Sequence, residues 1–234
     1  MAESSINDSF SSHPHLDLTE IVVVRHGETA WNAQGLIQGQ ADIELNEAGR
    51  MQAAAVAKRL SREPKISAVY SSDAQRALET AQIIASTCGG LEVFKDFDLR
   101  ERHMGELQGL VYHGLEKTNP IGYKALKSED ENQKIPGGGE SIVQLFERCK
   151  SALLRIGRNH KGERVVVVSH GASIHTLHKW ACPNERSTHI HNTSISVFHL
   201  YGEDKWTLKI WGDVSHLNQN GFLQSGFGGN KTSA

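Results

Sequence analysis

The chain has 234 residues, 38% apolar and 22% charged, with a formal net charge of −2 at pH 7. That length suits one domain with a sizeable core, and the near-neutral balance offers no global field to nucleic acid or an anionic membrane. No apolar run approaches the ~20 residues of a membrane-spanning helix. The three separated cysteines, Cys88, Cys149 and Cys182, read as free thiols in a reducing compartment.

In chain order, residues 1–18 are polar and Ser-rich and read as a flexible leader. Up to Glu20 there is no Lys or Arg, and Glu3, Asp8 and Asp17 are acidic, so neither a secretory signal nor a transit peptide is indicated and a cytoplasmic location is expected. Residues 19–217 form the expected domain. Ile21 to Val24 is a buried strand. Asn46 caps a helix reaching about Arg62. Ile66 to Tyr70 is a strand, Asp73 to Thr87 a helix stopped by Gly89-Gly90, and Leu91 to Phe94 a short strand. Ser141 and Gln144 have capping-box spacing and open a helix to Asn159, with Val143, Phe146, Cys149, Leu153 and Ile156 as its apolar stripe. Val165 to Val168 is a second buried strand, followed by a helix from Ala172 to Trp180. Ser194 to Leu200 and Trp206 to Ile210 form an edge hairpin. Residues 218–234 read as a flexible tail. The alternation predicts an α/β fold of three layers, a mainly parallel sheet flanked by helices.

Arg25-His26-Gly27-Glu28-Thr29 follows the first buried strand, and Ser169-His170-Gly171 follows the second. Ligands of open parallel sheets bind beyond the carboxyl ends of the strands, so the two histidines could meet at one site. A histidine, a fixed cation and backbone donors suit chemistry on a phosphate. An imidazole attacks only without a proton, and an adjacent guanidinium disfavours the imidazolium. Arg76, in the first turn of its helix, can reach the same anion.

These blocks resemble the histidine phosphatase superfamily, the phosphoglycerate mutase-like fold. The likeness runs from Arg25–Asn32 through Gln38-Gly39, Leu45–Gly49, Ser71-Ser72-Asp73 with Arg76, and Leu99-Arg100-Glu101, to Pro136–Ser141 and Ser169–Gly171. It covers about residues 20 to 216. The resemblance implies that His26 is a nucleophile forming a phosphohistidine, and that Arg25 and Arg76 clamp the phosphate. It implies that His170 ligates the phosphate and stabilises the intermediate, with Gly171 allowing close backbone approach. Glu101 matches the acid/base position, with Glu28 and Glu106 as rivals. Asn32 and Gln38 are phosphate or substrate contacts, or turn-formers.

No cofactor is expected. The pairs His175/His178 and His189/His191 could ligate metal, but no carboxylate or Cys cluster completes a site in the sequence, so none is assigned. Asn7, Asn192 and Asn230 open Asn-x-Ser/Thr triplets, which mean little without secretion.

Cofactor-dependent mutases carry a long, basic, proline-containing insertion after the Glu101 block, and here residues 101–136 are short. The resemblance therefore implies a metal-independent phosphomonoesterase acting on a small phosphorylated metabolite, with phosphoserine as first candidate. His103, Glu106, Gln108, His113 and Lys117 are candidates to hold it. A phosphoglycerate mutase is the alternative, and a non-catalytic phosphate-binding scaffold a further one. Neither nucleic acid nor membrane is expected as a partner. The edge strand Ser194–Leu200, with Trp206 and Trp211, is a candidate homodimer surface.

Overall fold

The computed structural model describes residues 18–202 and 204–218. The expected leader and tail lie outside the described residues, apart from their innermost positions.

The elements follow one another as β1 (Leu18–Arg25), α1 (Ala30–Gln34), α2 (Glu47–Leu60), β2 (Ala68–Ser71), α3 (Gln75–Thr87), β3 (Val93–Lys95), α4 (Leu115–Thr118), α5 (Pro120–Leu126), α6 (Ile142–Asn159), β4 (Arg164–Ser169), α7 (Gly171–Ala181), β5 (Ile195–Tyr201), β6 (Lys205–Asp213) and α8 (Ser215–Asn218). The expected α/β class holds. Six strands form one sheet in the order β3-β2-β4-β1-β5-β6, and β5 alone runs against the rest.

Strand pleating sends successive side chains to opposite faces. Ile21, Val23, Val165 and Val167 pack beneath α6 and α7 with Leu145, Cys149, Leu153 and Ile174. Val22, Val24, Val166 and Val168 face α2 and α3 with Val56, Leu60, Ala77 and Ile84. Burial on both faces is why these strands read as unbroken apolar runs.

The caps act as expected. Asn46 accepts from the Gly49 amide, and Ser141 and Gln144 form the capping box of α6. In α6, Val143 and Phe146 are only half-buried, while Leu145 and Ala152 lie in the core.

One expectation fails. Ser194–Leu200 is not an edge, because β5 pairs antiparallel with β1 from Leu18↔Tyr201 to Val24↔Ile195. The edge beyond it is β6. Its Trp206 stacks 4.7 Å from Trp180, and its Trp211 stacks 4.3 Å from His178, so both rings are committed to the fold. Pairing of two copies through this side of the sheet would use β6.

Residues 101–136, without predicted elements, carry α4, α5 and a turn of 3₁₀ helix at residues 105–107, and a further 3₁₀ turn at residues 97–99 precedes them. They close over Ile37 with a satellite core of Met104, Leu107, Leu115, Ala125 and Ile135.

Candidate active site

Parallel pairing of β1 and β4 places Arg25 opposite Ser169. The next residue on each strand is a histidine, and the His26 amide donates to the Ser169 carbonyl at 3.0 Å. Neighbouring strands lie about 4.8 Å apart, and the His26 and His170 ring centroids accordingly stand 5.1 Å apart at 58°. Register alone thus juxtaposes residues 144 positions apart in sequence.

Nδ1 of His26 donates to the Gly27 carbonyl at 2.7 Å. In the neutral ring this leaves the lone pair on Nε2. Burial, then Arg76 and Arg25, hold the His26 pKa well below its ordinary value. His170 is lowered likewise, by burial and then Arg76 and His26, and both its ring nitrogens are buried without a hydrogen-bond partner among the described residues.

The loop carrying His26 is locked by close backbone approach. A Cβ on Gly27 would stand 2.5 Å from the Gly49 carbonyl oxygen, and one on Gly49 2.0 Å from that of Glu28. Only glycine at both positions lets α2 seat against this loop.

Arg25 and Arg76 are each 1% exposed. Nη1 of Arg25 donates to the Ile190 carbonyl at 2.6 Å. Arg76 donates to the carbonyls of Ala41 and Gly39, each at 2.8 Å. The surface pairing with Glu79 that a solvated Arg76 would make is taken by Arg50. Burial pushes both guanidinium pKa values down to about 10, with Glu101 opposing, so both remain cations at neutral pH.

Arg25, His26, Asn32, Gln38, Arg76 and Glu101 line one cleft, with Leu36, Ile37, Gly39, Met104 and Ala172 completing it. Glu101 is the one carboxylate among its described lining residues. Oε1 accepts from the Arg102 amide at 2.8 Å and Oε2 from the Ala172 amide at 3.1 Å. Its rivals lie elsewhere: Glu28 accepts from Asn46, and exposed Glu106 accepts from Asn119. Asn32 does both things expected of it, since Oδ1 accepts from the Thr29 amide to cap α1 while the residue lines the cleft. Gln38 accepts the Thr29 hydroxyl at 2.9 Å. Gly171 opens α7, but the cleft wall there is Ala172. His103, Glu106, Gln108, His113 and Lys117 are not among the lining residues. Gln108, for example, is occupied by the Gln40 amide.

A neutral imidazole with an available Nε2, two buried cations and one oriented carboxylate can bind a phosphoryl group and move a proton beside it. The chain matches the model of the histidine phosphatase superfamily (branch 1) over residues 21–214. The chain belongs to the histidine phosphatase superfamily. Among its relatives is a phosphoglycerate mutase-like protein 4 of Arabidopsis thaliana, 60% identical over 93% of this chain and 95% of the relative. A metal-independent phosphoserine phosphatase of the same plant is 48% identical over 91% and 89%. A phosphoserine phosphatase of Entamoeba histolytica, solved with 3-phosphoglyceric acid, superposes with a TM-score of 0.72 at 31% identity, over 85% of this chain and 99% of that one.

Two supports of this site carry no clear mark in the sequence. Arg148 donates to the carbonyls of Asp98, Arg100 and Glu101 at 2.6–2.9 Å and pairs with Glu140, whose Oε2 accepts from the His103 amide. This hub fixes the segment that carries Glu101. Glu140 stood inside a motif block, and that was its only signal. The second support is Asn192-Thr193. The Asn192 side chain and the Thr193 amide both donate to the His26 carbonyl, and Thr193 has a φ of 56°, costly for a β-branched residue. Asn192 is 2% exposed, so its triplet is a structural element rather than a glycan acceptor.

Proposed function

We propose that the chain is a metal-independent phosphomonoesterase that hydrolyses a small phosphorylated metabolite through a phosphohistidine at His26. The observation that carries this reading is the neutral, tautomer-fixed His26 between two buried arginines, with Glu101 in the same cleft.

In the first step Nε2 of His26 attacks phosphorus. The N–P bond forms as the ester P–O bond breaks, and the departing oxygen takes a proton from Glu101. In the second step water attacks phosphorus and gives a proton to Glu101; a P–O bond forms as the N–P bond breaks, and the N–P electron pair returns to Nε2, restoring the neutral His26 ring and releasing phosphate. One carboxyl group can alternate between these roles. Arg25, Arg76 and an N–H of His170 stabilise charge on the equatorial oxygens, as positioned donors do in phosphoryl transfer. Asn32 and Gln38 are placed to add contacts.

Phosphoserine is the first candidate substrate. The metal-independent phosphoserine phosphatase at 48% identity supports it. So does a recess that shares Arg76 and Glu101 with the cleft and adds Asp42, Asp73 and Arg100, a mixed-sign lining suited to an ammonium and a carboxylate. The mutase-like name of the relative at 60% identity keeps phosphoglycerate mutation as the second reading.

A panel of phosphate monoesters assayed with a chelator present tests the proposal. Phosphate should be released from phosphoserine without added bisphosphoglycerate, faster than 2-phosphoglycerate forms from 3-phosphoglycerate with that bisphosphate. Mutase turnover exceeding phosphate release would select the second reading.

A further inference from the structure

We infer that His178, Cys182 and Glu185 form a site for one divalent transition-metal ion of the zinc class at the carboxyl end of α7. The sequence offers His178 only as half of a histidine pair. The structure turns it instead toward a thiol and a carboxylate, and one ligand atom from each of the three lies within 4.8 Å of the others.

Local backbone geometry assembles the trio. His178 and Cys182 are four residues apart, one helical turn, and the Cys182 amide donates to the His178 carbonyl at 2.7 Å. The Glu185 amide then donates to the Cys182 carbonyl at 3.1 Å, a tight turn that folds the carboxylate back. The Trp211 ring, 4.3 Å from that of His178, sets the imidazole plane. His178 is buried while Cys182 is half-buried and Glu185 exposed, so two ligands are free to close on an ion held by the third. Zinc takes sulfur at about 2.3 Å and nitrogen or oxygen at about 2.0–2.2 Å. A mixed sulfur, nitrogen and oxygen set selects against magnesium and calcium, which prefer oxygen alone. The fourth position would take water.

The ion would tie the start of the segment 182–194 to α7. Near the end of that segment Asn192 and Thr193 hold the His26 carbonyl. His178 lies eight residues past His170, about 12 Å along the helix, too far to enter the chemistry. The inference is therefore independent of the proposed reaction.

The test is titration of the reduced, untagged full chain with Zn²⁺ against a chromogenic chelator, with Co²⁺ as spectroscopic probe. One equivalent should bind, and cobalt should show a thiolate charge-transfer band with the visible intensity of a tetrahedral site. Cys182→Ser, a mild change at a half-buried position, should abolish the band and weaken zinc binding at least tenfold with the circular dichroism unchanged. Glu185→Gln should weaken binding several-fold. Cys88→Ser and the double variant His189→Ala/His191→Ala should keep both the band and the affinity. Absence of zinc binding, a cobalt band that survives Cys182→Ser, or loss of binding in the His189/His191 variant would overturn the inference.

Discussion

The ring of His170 stands 5.1 Å from the ring of His26, and burial together with Arg76 holds both pKa values well below the ordinary histidine range. Two neutral rings beside two guanidiniums form a site that is cationic overall yet retains an unprotonated ring nitrogen. Among the described residues His170 has no hydrogen-bond partner, which supports the proposal that its N–H serves a bound phosphoryl group. His170→Ala should lower kcat by about 10²–10³-fold, the usual cost of losing one transition-state donor. Steady-state kinetics on phosphoserine checks this, and a loss under threefold would remove His170 from the chemistry.

Arg76 spends two of its N–H groups on the carbonyls of Gly39 and Ala41. A lysine cannot hold both carbonyls and still reach the cleft. Arg76→Lys should therefore weaken vanadate inhibition at least tenfold, corresponding to a charged hydrogen bond of about 1.5–3 kcal/mol. Unchanged inhibition would mean that Arg76 only braces the loop.

Acid should destabilise the fold from near pH 6.5 downward. A histidine whose folded pKa is lowered binds fewer protons when folded than when unfolded, so the stability present above the unfolded value is lost as pH falls toward the folded one. His216 is pushed down to about 4 by burial, then by Arg59, and its Nε2 meets the Thr193 hydroxyl at 3.2 Å. It accounts for roughly 3 kcal/mol of the loss between those two values. Urea unfolding at a series of pH values should show His216→Gln losing less stability than wild type over that window. Parallel curves would contradict the assignment.

Much of this architecture is legible in the sequence, because strands buried on both faces and capped helices leave local marks. The runs at Ile21–Val24 and Val165–Val168, the Asn46 cap and the Ser141 box all signal themselves within a few residues. The site follows from two histidines at strand ends plus the family motifs, with His26 lining the cleft and His170 buried against it. Long-range assignments are harder to read. Ser194–Leu200 looks like half of a hairpin because Trp206–Ile210 is near it in sequence, while its second partner, β1, is more than 170 residues away. Residues 107–136 are mostly polar and short of periodicity, so α4 and α5 show no helical stripe. Their few apolar residues gain meaning only against Ile37. Arg148 reads as an ordinary polar position on α6, since its role depends on carbonyls some 47–50 residues upstream.

Arg148 supplies a prediction of its own. Nη1 and Nη2 hold three carbonyls of residues 98–101, so Arg148→Met should loosen the Glu101 carboxylate without touching the cleft. The rate should fall more for alkyl phosphates, whose poor leaving groups need protonation, than for an activated aryl phosphate. An equal fall for both would show general damage rather than displacement of Glu101.

The central claim is a covalent bond between phosphorus and Nε2 of His26, and rapid quench with a radiolabelled phosphate ester tests it most directly. Acid-labile, base-stable label should appear on the peptide containing His26 within the first turnover and be absent from His26→Ala, which should also lose activity by on the order of a thousandfold or more. Label on another residue, or sustained turnover in His26→Ala, would contradict the account.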